Sequence, residues 1–172
     1  AFKTAHDLDA DLPILEQLDH FSDERRQRIQ RALVEWEAEI ADRAEAAPDV
    51  LPLLRHLKTH GYRLAILTRN TRELALRTLQ QAELAPFFDD ADVWGRNCAE
   101  PKPSPEGPME ILRKWNAEAS DGVMVGDYLF DLQSGRSAGL FCIYIDRQNS
   151  QMWQDQADLT LTRLDCILDQ TT

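Results

Sequence analysis

Val123-Met124-Val125-Gly126-Asp127-Tyr128-Leu129-Phe130-Asp131 is the stretch that decides the fold. Val123–Val125 is a short apolar run with β-branched residues at both ends, the pattern of a buried strand. Gly126 lets the chain turn sharply off it. A helix then runs to Gly139, and Leu140–Ile145 is a second apolar strand. Strand, helix and strand in so few residues predict a parallel crossover.

The same alternation extends outward. Upstream, the sequence predicts a helix over Asp49–His60, a strand over Tyr62–Leu67 and a strand at Val93-Trp94. Asn70-Thr71-Arg72-Glu73 resembles a capping box with Asn in the capping place, opening a helix to about Gln81. Ser104-Pro105 reads as N-cap plus first-turn proline for a helix to Asn116. Downstream, Ala157–Leu161 is a last weak strand before a terminal helix. Such an order implies an α/β fold, a parallel sheet covered on both faces. Residues 1–47 differ in texture. They hold no strand-like run, and Ser22 caps a long polar helix on which Ile29, Leu33, Trp36 and Ile40 share one face.

Ligands of parallel sheets bind beyond the carboxyl ends of the strands. Two such ends carry chemistry. After Leu67 comes Thr68-Arg69-Asn70, a hydroxyl and a helix start that together can cradle an anion. After Val125, Asp127 and Asp131 stand four apart on one helical face, where two carboxylates suit a hard cation such as Mg²⁺. Between these motifs, Pro101-Lys102-Pro103 fixes a lysine on a stiff loop as a positioned charge.

In order and spacing these three motifs, with Ser137-Ala138-Gly139 after the last, resemble the haloacid dehalogenase superfamily, and within it the phosphoglycolate-phosphatase-like branch. The likeness covers roughly residues 48–169. It implies a three-layer, Rossmann-like core over residues 48–172 and a small all-helical cap over residues 1–47. It implies that Thr68 binds the transferring phosphoryl group with help from the backbone at Arg69 and Asn70. Lys102 then holds the phosphate and the nucleophile together, Asp127 ligates Mg²⁺, and Asp131 supports the metal, through water or through the lysine. The implied reaction is Mg²⁺-dependent hydrolysis of a small phosphate monoester through an aspartyl-phosphate. A carboxylate approaching a phosphate dianion at ~4 Å meets roughly 4 kcal/mol of repulsion per charge pair at an effective dielectric near 20. Mg²⁺ and Lys102 would offset it.

The family's first motif, an apolar central strand ending in Asp-x-Asp-Gly-Thr, has no counterpart here. His6-Asp7-Leu8-Asp9-Ala10-Asp11 holds Asp-x-Asp, but the residues before it are too few and too polar for a central strand, so a loop or helix end inside the cap is the better reading of Asp7 and Asp9. The expectation is a missing central strand, with two inner strand edges unpaired. It lies in roughly 10 to 25 residues upstream of Ala1, comes from another chain, or is truly absent. In the last case the chain is a non-catalytic interaction module. A phosphomutase of the same family would use the same residues.

Bulk properties narrow the partners. The 172 residues carry a net charge of −11, which disfavours nucleic acid and anionic membranes. No stretch approaches the roughly 18 apolar residues of a membrane span. Cys98, Cys142 and Cys166 form no metal-binding or disulfide spacing, which suggests a reducing cytoplasm, and Cys142 reads as a small core residue.

Overall fold

The computed structural model describes residues 2–170. The chain divides into two compact units, Ala1–Ala44 and Glu45–Thr172.

The first unit is helical: α1 (Phe2–Ala5), α2 (Ile14–Leu18) and α3 (Asp23–Ala41). Its core joins Phe2, Leu8, Leu18, Ile29 and Leu33. Full burial of such side chains is worth about 1.5–3 kcal/mol each. The predicted stripe on α3 is only half right. Ile29 and Leu33 are buried, whereas Trp36 is 38% and Ile40 51% exposed, because the core of this unit ends within two turns of Leu33. Ser22 stands at the N-cap of α3 without a capping side-chain bond. Asp7 has a positive φ, and Asp9 accepts from the Asp11 N–H, so both belong to a turn rather than to the end of a strand.

The second unit alternates helices and strands: α4 (Val50–Thr59), β1 (Ile66–Leu67), α5 (Arg72–Gln81), β2 (Val93–Trp94), α6 (Glu106–Trp115), β3 (Val123–Gly126), α7 (Leu129–Ser137), β4 (Phe141–Ile145) and β5 (Leu159–Leu161). Every pairing is parallel. This is the predicted α/β, Rossmann-like arrangement. The terminal segment Leu164–Gln170 is 3₁₀ rather than α-helical.

The strands form two ladders, β1-β2 and β3-β4-β5, with no ladder between β1 and β3 among the described residues. Each of these two strands is therefore bonded on one side alone. Two departures from expectation follow from that. First, β1 is only two residues long, since its ladder reaches no further than β2 does. Second, β3 is not buried: Val123 is 56% and Val125 39% exposed, although Met124 on its other face packs with Leu132 and Cys142.

The helix starts also shift by one residue. Thr71, not Asn70, caps α5, its Oγ1 accepting the Leu74 N–H at 3.4 Å. At α6, Ser104 Oγ accepts the Glu106 N–H at 3.2 Å, one turn residue earlier than a simple N-cap. Asp49, at the start of α4, is buried and ties three segments together. Its carboxylate accepts two bonds from Arg147 (2.9 and 3.1 Å) and one from the Leu164 N–H (2.7 Å). Cys142 is fully buried, and that burial pushes its thiol pKa up.

Candidate active site

The site is assembled at the carboxyl ends of β1 and β3. Thr68 follows β1 directly, and its N–H continues the ladder by donating to the Trp94 carbonyl at 2.9 Å. The Asn70 N–H donates to Thr68 Oγ1 at 3.1 Å, closing a hydroxyl turn. The Asn70 carbonyl is held in turn by the Arg96 N–H at 2.8 Å.

Lys102 lies on the loop between β2 and α6, after Pro101 and before a cis-linked Pro103. Its ammonium donates to the Leu67 carbonyl at 2.7 Å and to Asp131 Oδ1 at 2.5 Å. One cation thus joins the last residue of β1 to the first turn of α7. Ser134 fixes the same loop from the α7 side, its Oγ donating to the Ser104 carbonyl at 2.6 Å.

Asp131 uses both carboxylate oxygens: Oδ1 takes Lys102, and Oδ2 accepts the Tyr128 N–H at 3.0 Å. Asp127 sits between Gly126 and Tyr128, in the turn that this second bond closes. Gly126 is required there: a Cβ at that position would lie 2.1 Å from Asp131 Cβ and 2.7 Å from its Oδ2. The structure therefore brings Lys102 and Asp131 into direct contact, while Thr68 follows Leu67 and Asp127 precedes Tyr128 in the chain, the two residues whose backbone groups Lys102 and Asp131 hold.

The donor set suits a hard cation of the Mg²⁺ kind, which is content with one or two carboxylates and keeps several waters. Of the two carboxylates, Asp131 is the one that Lys102 engages, and Asp127 precedes it on the turn off β3. No cluster of three or more His, Cys, Asp or Glu occurs among the described residues, so a cation here would draw on few protein ligands.

Sequence reasoning missed the supports. The Arg69 guanidinium donates to the Lys102 carbonyl and lies 4.7 Å from the centre of the Phe130 ring. Arg96 Nη1 donates to the Arg69 carbonyl at 2.7 Å. Asn97 Oδ1 accepts the Arg72 N–H at 2.9 Å. The signal was Gly95: its Cα presses against the chain at Asn70–Arg72, and a Cβ would stand 2.2 Å from the Arg72 nitrogen. A glycine just past a strand marks such close approaches.

Comparison with known proteins identifies the family. Residues 10–145 match the family described as haloacid dehalogenase-like hydrolase, and the chain belongs to that family. It is 30% identical over 129 residues to a putative pyrophosphatase PpaX of Caldanaerobacter subterraneus, covering 74% of this chain and 58% of that protein. It is 34% identical over 100 residues to a phosphoglycolate phosphatase of Nitrosospira multiformis, covering 57% of this chain and 44% of that protein. The chain thus spans about half the length of the curated relatives it matches. In fold it is similar to the haloacid dehalogenase-like hydrolase SP0104 of Streptococcus pneumoniae, with a TM-score of 0.80 at 17% identity over 99% of this chain and 87% of that one. A putative β-phosphoglucomutase of Thermotoga maritima gives 0.71 at 14% identity, covering 99% and 88%. Among the described residues no helix is long and apolar enough to cross a membrane.

Proposed function

We propose that this chain belongs to a cytoplasmic, Mg²⁺-dependent phosphatase that hydrolyses a small phosphate monoester through an aspartyl-phosphate. The observation that carries this reading is the Lys102 ammonium, shared between Asp131 and the carbonyl of Leu67, the residue before Thr68. Residues 1–47 would form its helical cap domain.

In the proposed reaction an aspartate oxygen attacks phosphorus, the ester P–O bond breaks, and the leaving oxygen takes a proton. Water then hydrolyses the acyl phosphate, returning the carboxylate and releasing inorganic phosphate. Thr68 Oγ1 donates to a phosphoryl oxygen, and the Arg69 N–H and Asn70 side of the loop shapes the anion's seat. Lys102 faces the phosphoryl oxygens and the attacking carboxylate, lowering their mutual repulsion. Asp131 keeps Lys102 in place. Asp127, with Asp131 behind it, would hold Mg²⁺, which supplies charge neutralisation at the phosphoryl group.

The attacking aspartate belongs to the family's first motif, and its strand would sit between β1 and β3, each of which carries a ladder on one side alone. The absence of Asp-x-Asp-Gly-Thr from the 172 residues supports a second reading, a non-catalytic interaction module. One experiment separates them: turnover of p-nitrophenyl phosphate by the full-length gene product with and without Mg²⁺, beside Asp127→Asn. The phosphatase reading expects Mg²⁺-dependent turnover that the variant loses. Equal rates for both proteins remove the metal assignment, and no turnover by either leaves the module.

A further inference from the structure

We infer that Arg69 is a positioning residue, whose side chain acts on the reaction through Lys102 rather than on the substrate. Three contacts place it. Its guanidinium donates to the backbone carbonyl of Lys102, so it grips the loop on which the lysine stands. The same group lies 4.7 Å over Phe130, which belongs to the first turn of α7 between Asp127 and Asp131. Its own carbonyl is held by Arg96 at 2.7 Å, so the strut has a fixed base.

These contacts close a ring. β1 leads to Thr68 and Arg69; Arg69 reaches the Lys102 carbonyl and Phe130; Lys102 returns to Leu67 and to Asp131. Three segments distant in sequence are thereby locked, and the lysine between them is fixed at both ends: its backbone by Arg69, its ammonium by Leu67 and Asp131. A flexible four-carbon stem needs such control of its base to keep its tip on two acceptors at once. Arginine is chosen because its planar fork donates to a carbonyl in its own plane while its face stacks on an aromatic ring. A lysine would keep the charge but lose both geometries.

The assignment goes beyond a general anion seat at this loop, which concerns backbone N–H groups. Its effect on phosphate binding rests on the phosphatase reading, while its effect on Lys102 itself does not.

Both can be measured on the chain as it exists. Wild type, Arg69→Lys, Arg69→Ala, Lys102→Met and the double variant Arg69→Ala/Lys102→Met are compared. The first readout is the rate at which acetic anhydride labels Lys102, followed by peptide mass spectrometry, with Lys58 and Lys114 as internal references. Losing a bond from a charged donor corresponds to about a tenfold change. We expect Lys102 to be labelled about tenfold faster in Arg69→Ala, and nearly as fast in Arg69→Lys, with Lys58 and Lys114 unchanged. Should Arg69→Ala fold poorly, Phe130→Leu, which removes the face under Arg69 together with the ring's edge contact to Tyr128, must accelerate Lys102 labelling in the same selective way. Unchanged Lys102 reactivity in these variants overturns the proposal.

The second readout is affinity for inorganic phosphate. Arg69→Ala should weaken it when Lys102 is present and leave it unaltered in the Lys102→Met background, since a strut has nothing left to hold. Additive losses would mean that Arg69 acts directly on the anion, and wild-type behaviour in Arg69→Lys would mean that charge alone matters; either result overturns the positioning role. If wild type binds no phosphate, the phosphatase reading fails, and the labelling rates still decide the role of Arg69.

Discussion

Lys102 Nζ stands 2.5 Å from Asp131 Oδ1, and both side chains are only 11% exposed. A pair so far removed from water is costly to break from one side, because the survivor keeps a desolvated charge. Lys102→Met should therefore destabilise the second unit by about 3 kcal/mol. Asp131→Asn should cost about as much, because its single amide oxygen serves either the Tyr128 N–H or Lys102, and an NH2 group facing the ammonium leaves that buried charge unpaired. Replacing both by apolar residues should recover part of the loss. Urea titrations of the three variants check this; a double variant weaker than Lys102→Met would contradict it.

Gly126→Ala sets a methyl group against Asp131 Cβ at 2.1 Å, a separation that no side chain tolerates. Either α7 shifts or Asp131 turns away, and either movement takes the carboxylate from Lys102. The expected outcome is a loss of about 1–3 kcal/mol, as for other overpacked sites. Gly95→Ala meets the Arg72 backbone nitrogen at 2.2 Å and should be as destabilising. Thermal melts of both variants near wild type would refute the argument.

The fold was legible in this sequence wherever apolar runs and turn residues repeat at short range. The run at Phe141–Ile145 and the turn after Val125 are local patterns, and both stand where they were expected. What could not be read depends on partners far away in sequence. Tyr62–Leu67 has the composition of a strand, yet only Ile66 and Leu67 find ladder partners. Ile40 continues a clean helical stripe and still faces solvent, because periodicity says which residues share a face and not how far the opposite surface extends. The site shows the same division. Thr68, Asp127 and Asp131 are singled out by residue type at strand ends and Lys102 by its flanking prolines, and what the structure adds is the contact between Lys102 and Asp131. Arg69 binds a carbonyl 33 residues away, and nothing in its neighbours signals that.

Acid should weaken the second unit through Asp49. Burial alone would raise its pKa, but the bonds from Arg147 and the Leu164 N–H outweigh that and hold the carboxyl below its ordinary value of 3.8. A group depressed by folding stabilises the fold fully above its unfolded pKa and loses that contribution as pH falls through the folded value. The stability gap between wild type and Asp49→Asn should therefore be constant near neutrality and close below about pH 4. Urea midpoints over this range measure it. A gap that widens on acidification would reverse the sign and exclude this role.

The exposed face of β3 predicts what completes the sheet. Val123 and Val125 are β-branched residues left open to solvent at 56% and 39%, and neither β1 nor β3 has a second ladder among the described residues. The Lys102 ammonium bonds the end of β1 and the turn after β3, so a strand entering between them would finish beside a positive charge. The fitting segment is about six residues long, apolar on both faces, parallel to its neighbours, and acidic just past its carboxyl end. A synthetic peptide of that design should bind the chain and displace a fluorescent dye from its apolar surface. Moving the acid to the peptide's amino end should weaken binding about tenfold, the cost of a lost charged hydrogen bond. Val123→Thr and Val125→Thr should change the stability of the chain alone by no more than about 0.5 kcal/mol, as surface substitutions do, yet lower its affinity for the peptide. Equal binding of both peptide orders would show adhesion to an apolar patch, and the strand site would then have to be abandoned.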